Sequence, residues 1–160
     1  MNLKKGWFKA VGVVFLLLMV QFLSSCSLNA EQEATLSEST TNYTEARKAG
    51  ALLAYVSMQH PLVVRYYKEK GDSAFLKKFT VEPKDYFSED PVIRRIEKQD
   101  DDIHVLYEAK IIQSDWESGG DEVRRFVALS ENNGRNWFFI DWSDYVDKSI
   151  ATGLIRLIDL

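Results

Sequence analysis

The spacing of hydrophobic and polar positions changes along the chain. An apolar stretch covers 10–20 and resumes at 22–23, with no polar positions alternating in it. Between 46 and 79 apolar residues recur at helical spacing, and from 92 onward they recur at every second position. Periods near 3.6 and 2 are those of an amphipathic helix and of a strand with one buried face. The pattern predicts a helical half followed by an antiparallel sheet.

Three helical segments are predicted between 42 and 79. Asn42-Tyr43-Thr44-Glu45 has the residues of a capping box and precedes the first apolar stripe. Pro61 restarts the helix, because the residue before a proline avoids helical angles. Gly71 ends the second segment, and Asp72 is expected to cap the third.

Four strands are predicted after the helices, at 92–99, 103–112, 123–129 and 136–142. Asn133-Gly134 strongly favours a hairpin between the last two. The predicted fold class is therefore α+β, with N-terminal helices packed on a curved four-stranded antiparallel meander. The tail, 150–160, is apolar enough to add a fifth strand or a short helix.

This order of elements resembles the cystatin-like and nuclear-transport-factor-like α+β superfold. Gly71-Asp72 stands where small secreted members of that superfold have Gly-Asp between helices. The resemblance implies a cone between the helices and the concave face of the sheet. Members of the superfold use this cone for ligand binding, catalysis or subunit contact, so fold alone does not assign a function.

The first 25 residues have the composition of a secretory signal. Three lysines precede any acidic residue, and the apolar run of about 14 residues is shorter than a membrane-spanning helix requires. Leu23-Ser24-Ser25-Cys26 follows, and here the chain resembles the bacterial lipoprotein signal, matching its lipobox at all four positions. The resemblance implies a diacylglycerol thioether on Cys26, removal of 1–25, and acylation of the new amino terminus by a fatty acid such as palmitate.

Cleavage by the ordinary signal peptidase is the alternative, and it would leave Cys26 as a free thiol. Cys26 is the single cysteine of the chain, and a free thiol in an oxidising compartment invites intermolecular disulfides. Lipidation is therefore the favoured interpretation. In enterobacterial lipoproteins an Asp after the cysteine resembles an inner-membrane retention signal. Ser27 stands there instead, which favours the outer membrane with the domain facing the periplasm.

Three segments are predicted: a signal peptide at 1–25, a lipidated flexible tether at 26–41, and a single α+β domain at 42–160. The tether is expected because Ser, Thr, Glu and Ala dominate 27–44. Removing 1–25 takes three of the 20 basic residues and none of the 24 acidic ones, which leaves a formal charge of −7. An acidic domain argues against nucleic acid as a partner.

The sequence predicts no cofactor and no metal site. No Cys, His, Asp and Glu cluster has zinc spacing, and the acidic run 100–102 lacks the ligand pattern of a calcium loop. The best enzyme hypothesis is a small cone-type isomerase or hydrolase. In it Asp141 would form an acid/base pair with His104 or Tyr107.

The segment from Ser130 to Trp137 resembles the Asp-box hairpin of sialidase-type propellers. Ser130, Gly134 and Trp137 match that box, whereas Asn132 and Asn136 replace its Asp and Thr. A single copy cannot form a propeller. The resemblance therefore implies a hairpin-stabilising role.

Aromatic residues on both faces of neighbouring strands suggest where a partner binds. A sheet that is apolar on both faces must be covered twice. Either the tail covers the second face, or a ligand or partner surface exists there, formed by Phe126, Trp137, Phe139 and Trp142. The predicted function is a membrane-anchored, non-catalytic binding or accessory module of the cell envelope, with an envelope protein or a small apolar ligand as partner. A periplasmic immunity or inhibitor lipoprotein is the alternative.

Overall fold

The computed structural model describes residues 27–81, 87, 89–111, 122–150 and 153–158. Helices come first: α1 (Ala30–Lys48), α2 (Leu52–Ser57), α3 (Pro61–Glu69) and α4 (Asp72–Phe79). The strands are β1 (Val92–Gln99), β2 (Asp102–Ile111), β3 (Glu122–Ser130) and β4 (Phe138–Asp141), and the short helix α5 (Trp142–Val146) follows. The predicted signal peptide and lipidated cysteine lie outside the described residues. Over the described ranges, every helix is too short or too polar to cross a bilayer.

The four strands form one antiparallel sheet in the order β1-β2-β3-β4. This arrangement confirms the predicted α+β meander. Strand β4 is shorter than predicted, since Trp142 already belongs to α5. The described part of the tail, 153–158, forms neither the strand nor the helix that its apolar character suggested. Membership of the cystatin-like and nuclear-transport-factor-like superfold stays a prediction.

The two faces of the sheet have different neighbours. We call the face that packs on α1 the inner face; it carries Val105, Phe126 and Phe139, which are all buried. The opposite, outer face carries His104 and Ile140. Strand alternation assigns each residue to its face, because successive side chains point to opposite sides.

Helix α1 occupies the region where the sequence predicted a flexible tether. Residues 30–48 are helical, so the tether at 26–41 and the capping box at Asn42 are both wrong. The helix begins earlier, because the Asn29 side chain accepts the Gln32 N–H at 2.8 Å and the Gln32 side chain accepts the Asn29 N–H at 3.0 Å. The buried side of α1 includes polar residues such as Gln32 and Arg47. A search for apolar periodicity therefore overlooks it.

Polar contacts join α1 to the hairpin between β3 and β4. Gln32 Nε2 donates to Asn133 Oδ1 at 2.7 Å, and Thr35 Oγ1 donates to the Gly134 carbonyl at 2.7 Å. Trp137 Nε1 in turn donates to Thr35 Oγ1 at 3.1 Å. These partners lie about 100 residues apart along the chain. Local sequence patterns cannot reveal such pairs.

The hairpin is also stabilised from within, which agrees with the structural role inferred from its Asp-box-like residues. Ser130 Oγ accepts the Gly134 N–H at 2.9 Å, and Asn132 Oδ1 accepts the Asn136 N–H at 2.9 Å. Gly134 has a φ of 84°, in the region that favours glycine. A Cβ atom on Gly134 would lie 2.6 Å from Cγ of Gln32. Glycine is thus required both by the turn and by the approach of α1.

Gly134→Ala should lower the free energy of unfolding by about 3 kcal/mol, because a strained backbone angle and a clash with α1 add together. Gly50→Ala is the matched control. Gly50 also has a positive φ, of 61°, but the nearest atom to its added Cβ would be 3.6 Å away. It should cost only about 1 kcal/mol. Urea denaturation followed by circular dichroism measures both, and equal losses would show that the clash with Gln32 is not important.

Candidate functional site

The aromatic residues predicted as a partner surface lie in the core instead. Phe126, Trp137 and Phe139 are 2%, 6% and 0% exposed. Tyr43 of α1 stacks on Phe139 with ring centroids 4.2 Å apart and lies 5.2 Å from Phe126. The surface prediction is wrong for these three residues, because α1 covers them and the first part of this helix, 30–41, was assigned to a tether.

The chain after β4 covers part of the outer face. The Tyr145 hydroxyl of α5 lies 2.6 Å from His104 Nδ1, and it accepts the backbone N–H groups of Leu157 and Ile158 at 3.1 and 3.2 Å. Ile158 is buried, and the half-buried Trp142 ring stacks on Tyr145 at 5.6 Å. Of the two alternatives left by the sequence, the structure thus supports coverage by the tail. Trp142 serves that packing.

Hydrogen bonding fixes the protonation state of His104. The Tyr145 hydroxyl already accepts two N–H groups, so its own hydrogen is donated to Nδ1 of His104. Nδ1 must therefore carry no proton. Burial, with a smaller contribution from the nearby His60, lowers the pKa of His104 to about 4. At neutral pH His104 is an uncharged anchor for the tail.

Asp141, the predicted acid/base residue, belongs to a half-buried ion cluster with Lys78 and Asp144. Lys78 Nζ lies 2.6 Å from an oxygen of Asp141 and 2.6 Å from an oxygen of Asp144. Burial raises the pKa of Asp141, but attraction by Lys78 and more distant arginines outweighs burial and leaves this pKa below its usual value. Burial lowers the pKa of Lys78, and the two carboxylates raise it well above its usual value. Neither group exchanges a proton near pH 7.

The two residues predicted to assist Asp141 are not positioned for acid/base chemistry with it. His104 lies on the outer face, whereas Asp141 aligns with the inner-face residue Phe126. Tyr107 shares the inner face, but Phe126 of β3 lies between it and Asp141 in the register. The Tyr107 hydroxyl accepts a hydrogen bond from Thr40 at 3.3 Å. The contacts of Asp141, His104 and Tyr107 are thus structural.

His60 also makes structural contacts. Its Nδ1 accepts the Leu62 N–H at 3.3 Å at the start of α3, and its Nε2 lies 3.5 Å from Glu131. Burial lowers the pKa of His60 despite the attraction of Glu131. Within the described ranges, no three His, Cys, Asp or Glu residues are grouped so that they could hold a metal ion.

A groove between α1 and β1 is the best candidate for a binding site. We call it the strand–helix groove. Its first part has a volume of about 410 Å³ and an apolar lining from Leu28, Leu36, Ile93, Ile96 and Tyr107. Hydroxyl groups from one side of α1 line it too, at Ser37, Thr40, Thr41 and Thr44. A second part of about 470 Å³ continues past Thr44 toward Lys48 and Phe87. The groove thus follows most of the length of α1.

The strand–helix groove is acidic. Glu33 and Asp90 line its first part, and the second part adds Glu45 and Glu89 against a single lining lysine, Lys48. Opposite charges across an interface favour association and set its specificity. A partner with basic side chains would be complementary.

The groove runs beside an open sheet edge. At the other edge, the Phe139 N–H donates to the Met58 carbonyl at 2.8 Å and the His60 N–H donates to the Phe139 carbonyl at 3.1 Å. For the part of the chain that the structure describes, no comparable backbone bonds join another segment to the edge of β1 that faces away from β2. Val92 and Ile93 on β1 are 51% and 43% exposed. Among the residues that the structure describes, this edge thus presents backbone groups without a strand partner, together with apolar side chains that suit a further strand.

Sequence analysis missed the groove because it missed α1. The signal that could have found it is the spacing of hydroxyl residues at 37, 40, 41 and 44. Positions three and four apart lie on one side of a helix. Once 30–48 is known to be helical, these residues form a polar stripe next to the buried one.

Comparisons with protein-family models, with curated proteins and with solved structures find no match to this chain. The geometry of the site is therefore the basis for assigning a function.

Acid should weaken the fold through His104. Its folded pKa of about 4 lies below the ordinary value of 6.5, so between these values the unfolded chain binds more protons than the folded one. Stability from this residue is fully present above about pH 6.5 and is lost as the pH falls toward 4, by about 3 kcal/mol in total. Urea titrations at a series of pH values measure this loss.

His104→Asn is the matched variant, because an amide oxygen can accept the Tyr145 hydrogen bond and does not titrate. It should show a smaller loss of stability than the natural protein over the same pH window. Identical pH profiles for the two proteins would rule out His104 as the source.

Proposed function

We propose that this protein is a lipid-anchored lipoprotein of the bacterial cell envelope whose domain faces the periplasm and acts as a non-catalytic binding module. Its strand–helix groove binds an extended, basic polypeptide segment of a partner envelope protein. The observation that carries this proposal is the open edge of β1 beside an acidic groove with an apolar floor.

Strand addition explains how the groove would hold such a segment. An extended peptide that pairs with an exposed sheet edge gains main-chain hydrogen bonds, while its alternate side chains enter adjacent pockets. On β1 the side chains next to that edge include Ile93 and Ile96, which also line the groove. A register shift between Ile93 and Arg95 interrupts the edge. Bulges and edge charges hinder unselective pairing, which favours a specific partner over self-association.

The start of the folded domain supports anchoring close to the membrane. Leu28 is buried and lines the groove, and Lys98 Nζ donates to the Ser27 carbonyl at 2.5 Å. Cys26 directly precedes Ser27, and consecutive Cα atoms are about 3.8 Å apart. A lipid on Cys26 would therefore hold one end of the groove at the bilayer, with two or more acyl chains supplying stable attachment.

The two alternative functions receive different degrees of support from the site. An immunity or inhibitor lipoprotein would use the same groove, with a toxin or enzyme as the polypeptide partner. The cone-type isomerase or hydrolase receives less support, because Asp141 is held ionised by Lys78 and His104 lies on the other face. A non-catalytic binding role accounts for both observations.

Mass spectrometry of the mature amino terminus tests the anchor. We expect a terminus at Cys26 that carries a diacylglyceryl group and an amide-linked acyl chain. The variant Cys26→Ser should keep its leader, because the lipoprotein peptidase acts on the modified cysteine. An unmodified terminus at another residue, or an uncut leader in the natural protein, would contradict the anchoring proposal.

Site-specific photocrosslinking in the producing bacterium tests the groove. A photoreactive residue at Ser37 or at Ile93 should capture the same partner, since these positions lie on the two walls of the groove. Leu53 on α2 is the control because it is 85% exposed and does not line the groove. Fragment analysis should place the captured site in an extended segment with basic residues.

Ile93→Lys gives a quantitative check of the same proposal. It should reduce the adduct formed from Ser37 by about tenfold, which corresponds to about 1.4 kcal/mol, because a lysine removes an apolar contact and repels a basic segment. The thermal midpoint should change little, because Ile93 is already partly exposed. Equal capture from Leu53, or an adduct unaffected by Ile93→Lys, would argue against the groove.

A further inference from the structure

The chain that leads into α1 is bonded to the domain. Lys98 Nζ of β1 donates to the Ser27 carbonyl at 2.5 Å and to Gln32 Oε1 at 3.0 Å. Leu28 is buried, and Asn29 forms the reciprocal cap of α1 with Gln32. Each residue from 27 to the start of α1 is thus held by α1, by β1 or by the core. This stretch therefore cannot serve as a flexible tether.

Two hairpin turns lie next to this bonded stretch. One joins β1 to β2 at 100–101, and the other joins β3 to β4 at 131–137. The Asn133 N–H of the second turn donates to the Asp101 carbonyl of the first at 2.8 Å, and Gln32 Nε2 donates to Asn133 Oδ1 at 2.7 Å. We call the exposed residues of the two turns the turn surface; they are Asp100, Asp101, Glu131, Asn133, Arg135 and Asn136.

A lipid on Cys26 would keep the turn surface at the bilayer. Cys26 directly precedes Ser27, and consecutive Cα atoms are about 3.8 Å apart. Lys98, which bonds to Ser27, is two positions before Asp100, a separation of about 7 Å in an extended strand. Two or more acyl chains supply stable attachment. The first turn therefore stays close to the headgroups as long as Ser27 keeps its contact with Lys98.

The turn surface has little affinity of its own for an anionic bilayer. Its acidic residues Asp100, Asp101 and Glu131 outnumber its basic residue, Arg135. Attraction to anionic headgroups comes from clustered Lys and Arg. The covalent link to the lipid, and not the charge of the turns, would therefore determine where this surface lies.

The exposed side of α1 indicates how the domain is oriented. Glu31, Glu38 and Glu45 are exposed and recur at every seventh position, so they share one side of the helix. A helix that lies in the bilayer surface has a large apolar face and a polar face rich in Lys and Arg. The exposed residues of α1 include no large apolar side chain and a single basic one, Lys48. This helix is thus unsuited to lie along the bilayer.

On the basis of the proposed lipid anchor, we propose that the short link at Cys26 holds the domain upright on the bilayer. The turn surface lies in the headgroup layer, and α1 points away from it. From Ala30 to Lys48 the helix extends about 27 Å, at about 1.5 Å for each of 18 steps. The strand–helix groove follows α1 from Leu28 toward Lys48. It therefore begins at the bilayer and runs outward.

Fluorescence quenching in vesicles tests this orientation. Cys26 is the single cysteine of the chain, so in the lipidated protein an introduced cysteine is the only free thiol. The full chain with Asp101→Cys or Lys48→Cys is labelled with bimane and reconstituted in vesicles of phosphatidylethanolamine and phosphatidylglycerol. These vesicles also contain a lipid with a nitroxide on its headgroup. The label on Asp101→Cys should lose most of its fluorescence, and the label on Lys48→Cys should lose almost none.

Two results of this measurement would overturn the proposal. Equal quenching of both labels would show that α1 lies along the bilayer. Absence of quenching at both sites would show that the domain is held away from the headgroups. Flotation of the same vesicles separates these results from a failure of the anchor. Protein that does not float lacks the anchor, which overturns both proposals, whereas floating protein with an unquenched label on Asp101→Cys overturns only the orientation.

An inserted spacer tests whether the short link is the cause. A Ser/Gly segment of about 12 residues between Cys26 and Ser27 would have a typical span of about 19 Å. The label on Asp101→Cys should then lose most of its quenching, while the protein still floats with the vesicles. The same segment added after Leu160 is the matched control and should leave the quenching unchanged. Full quenching in spite of the spacer at Cys26 would overturn the proposal.

Discussion

The contact between helix α1 and the inner face of the sheet is the interaction on which the rest of the structure depends. Tyr43 stacks on Phe139 and approaches Phe126, so α1 excludes water from the aromatic centre of the sheet. Burial of such rings is the largest kind of contribution that a single side chain makes to a core. The same position of α1 also creates the strand–helix groove beside β1. Core and candidate site thus have one common origin.

Specific polar contacts fix where α1 lies. Apolar packing alone is not directional, whereas the Gln32 amide bonds to Asn133 at 2.7 Å and Thr35 connects Gly134 with Trp137. These bonds determine the register of the helix along the sheet. Since the groove wall is the neighbouring stripe of the same helix, a shift of α1 by one turn would misplace all of its hydroxyl groups.

Much of the fold could be predicted from the sequence, and the reason is physical. Strand β2 has one face in the core, so its residues alternate clearly, and Pro61 marks the start of α3 by its own stereochemistry. Helix α1 gave no such signal, because Gln32 and Arg47 contribute to its buried side through partners elsewhere in the chain. The candidate site lies beside α1, so it could not be predicted without that helix. The aromatic residues were recognised as important, but only the structure shows that Tyr43 covers them.

The distances along the chain between bonded partners determine when the molecule can fold. The hydrogen bond between Gln32 and Asn133 joins residues that are 101 positions apart, so it cannot form until both are present. The tail packs on the outer face only when the Tyr145 hydroxyl accepts the N–H groups of Leu157 and Ile158. The sheet is therefore flanked in sequence by the two segments that cover it. Proteins dominated by such distant contacts fold slowly and expose apolar surface meanwhile. A chain that has emerged only as far as β3 has neither its hairpin for α1 nor its tail, so its apolar strands need protection until residue 158 has emerged as well.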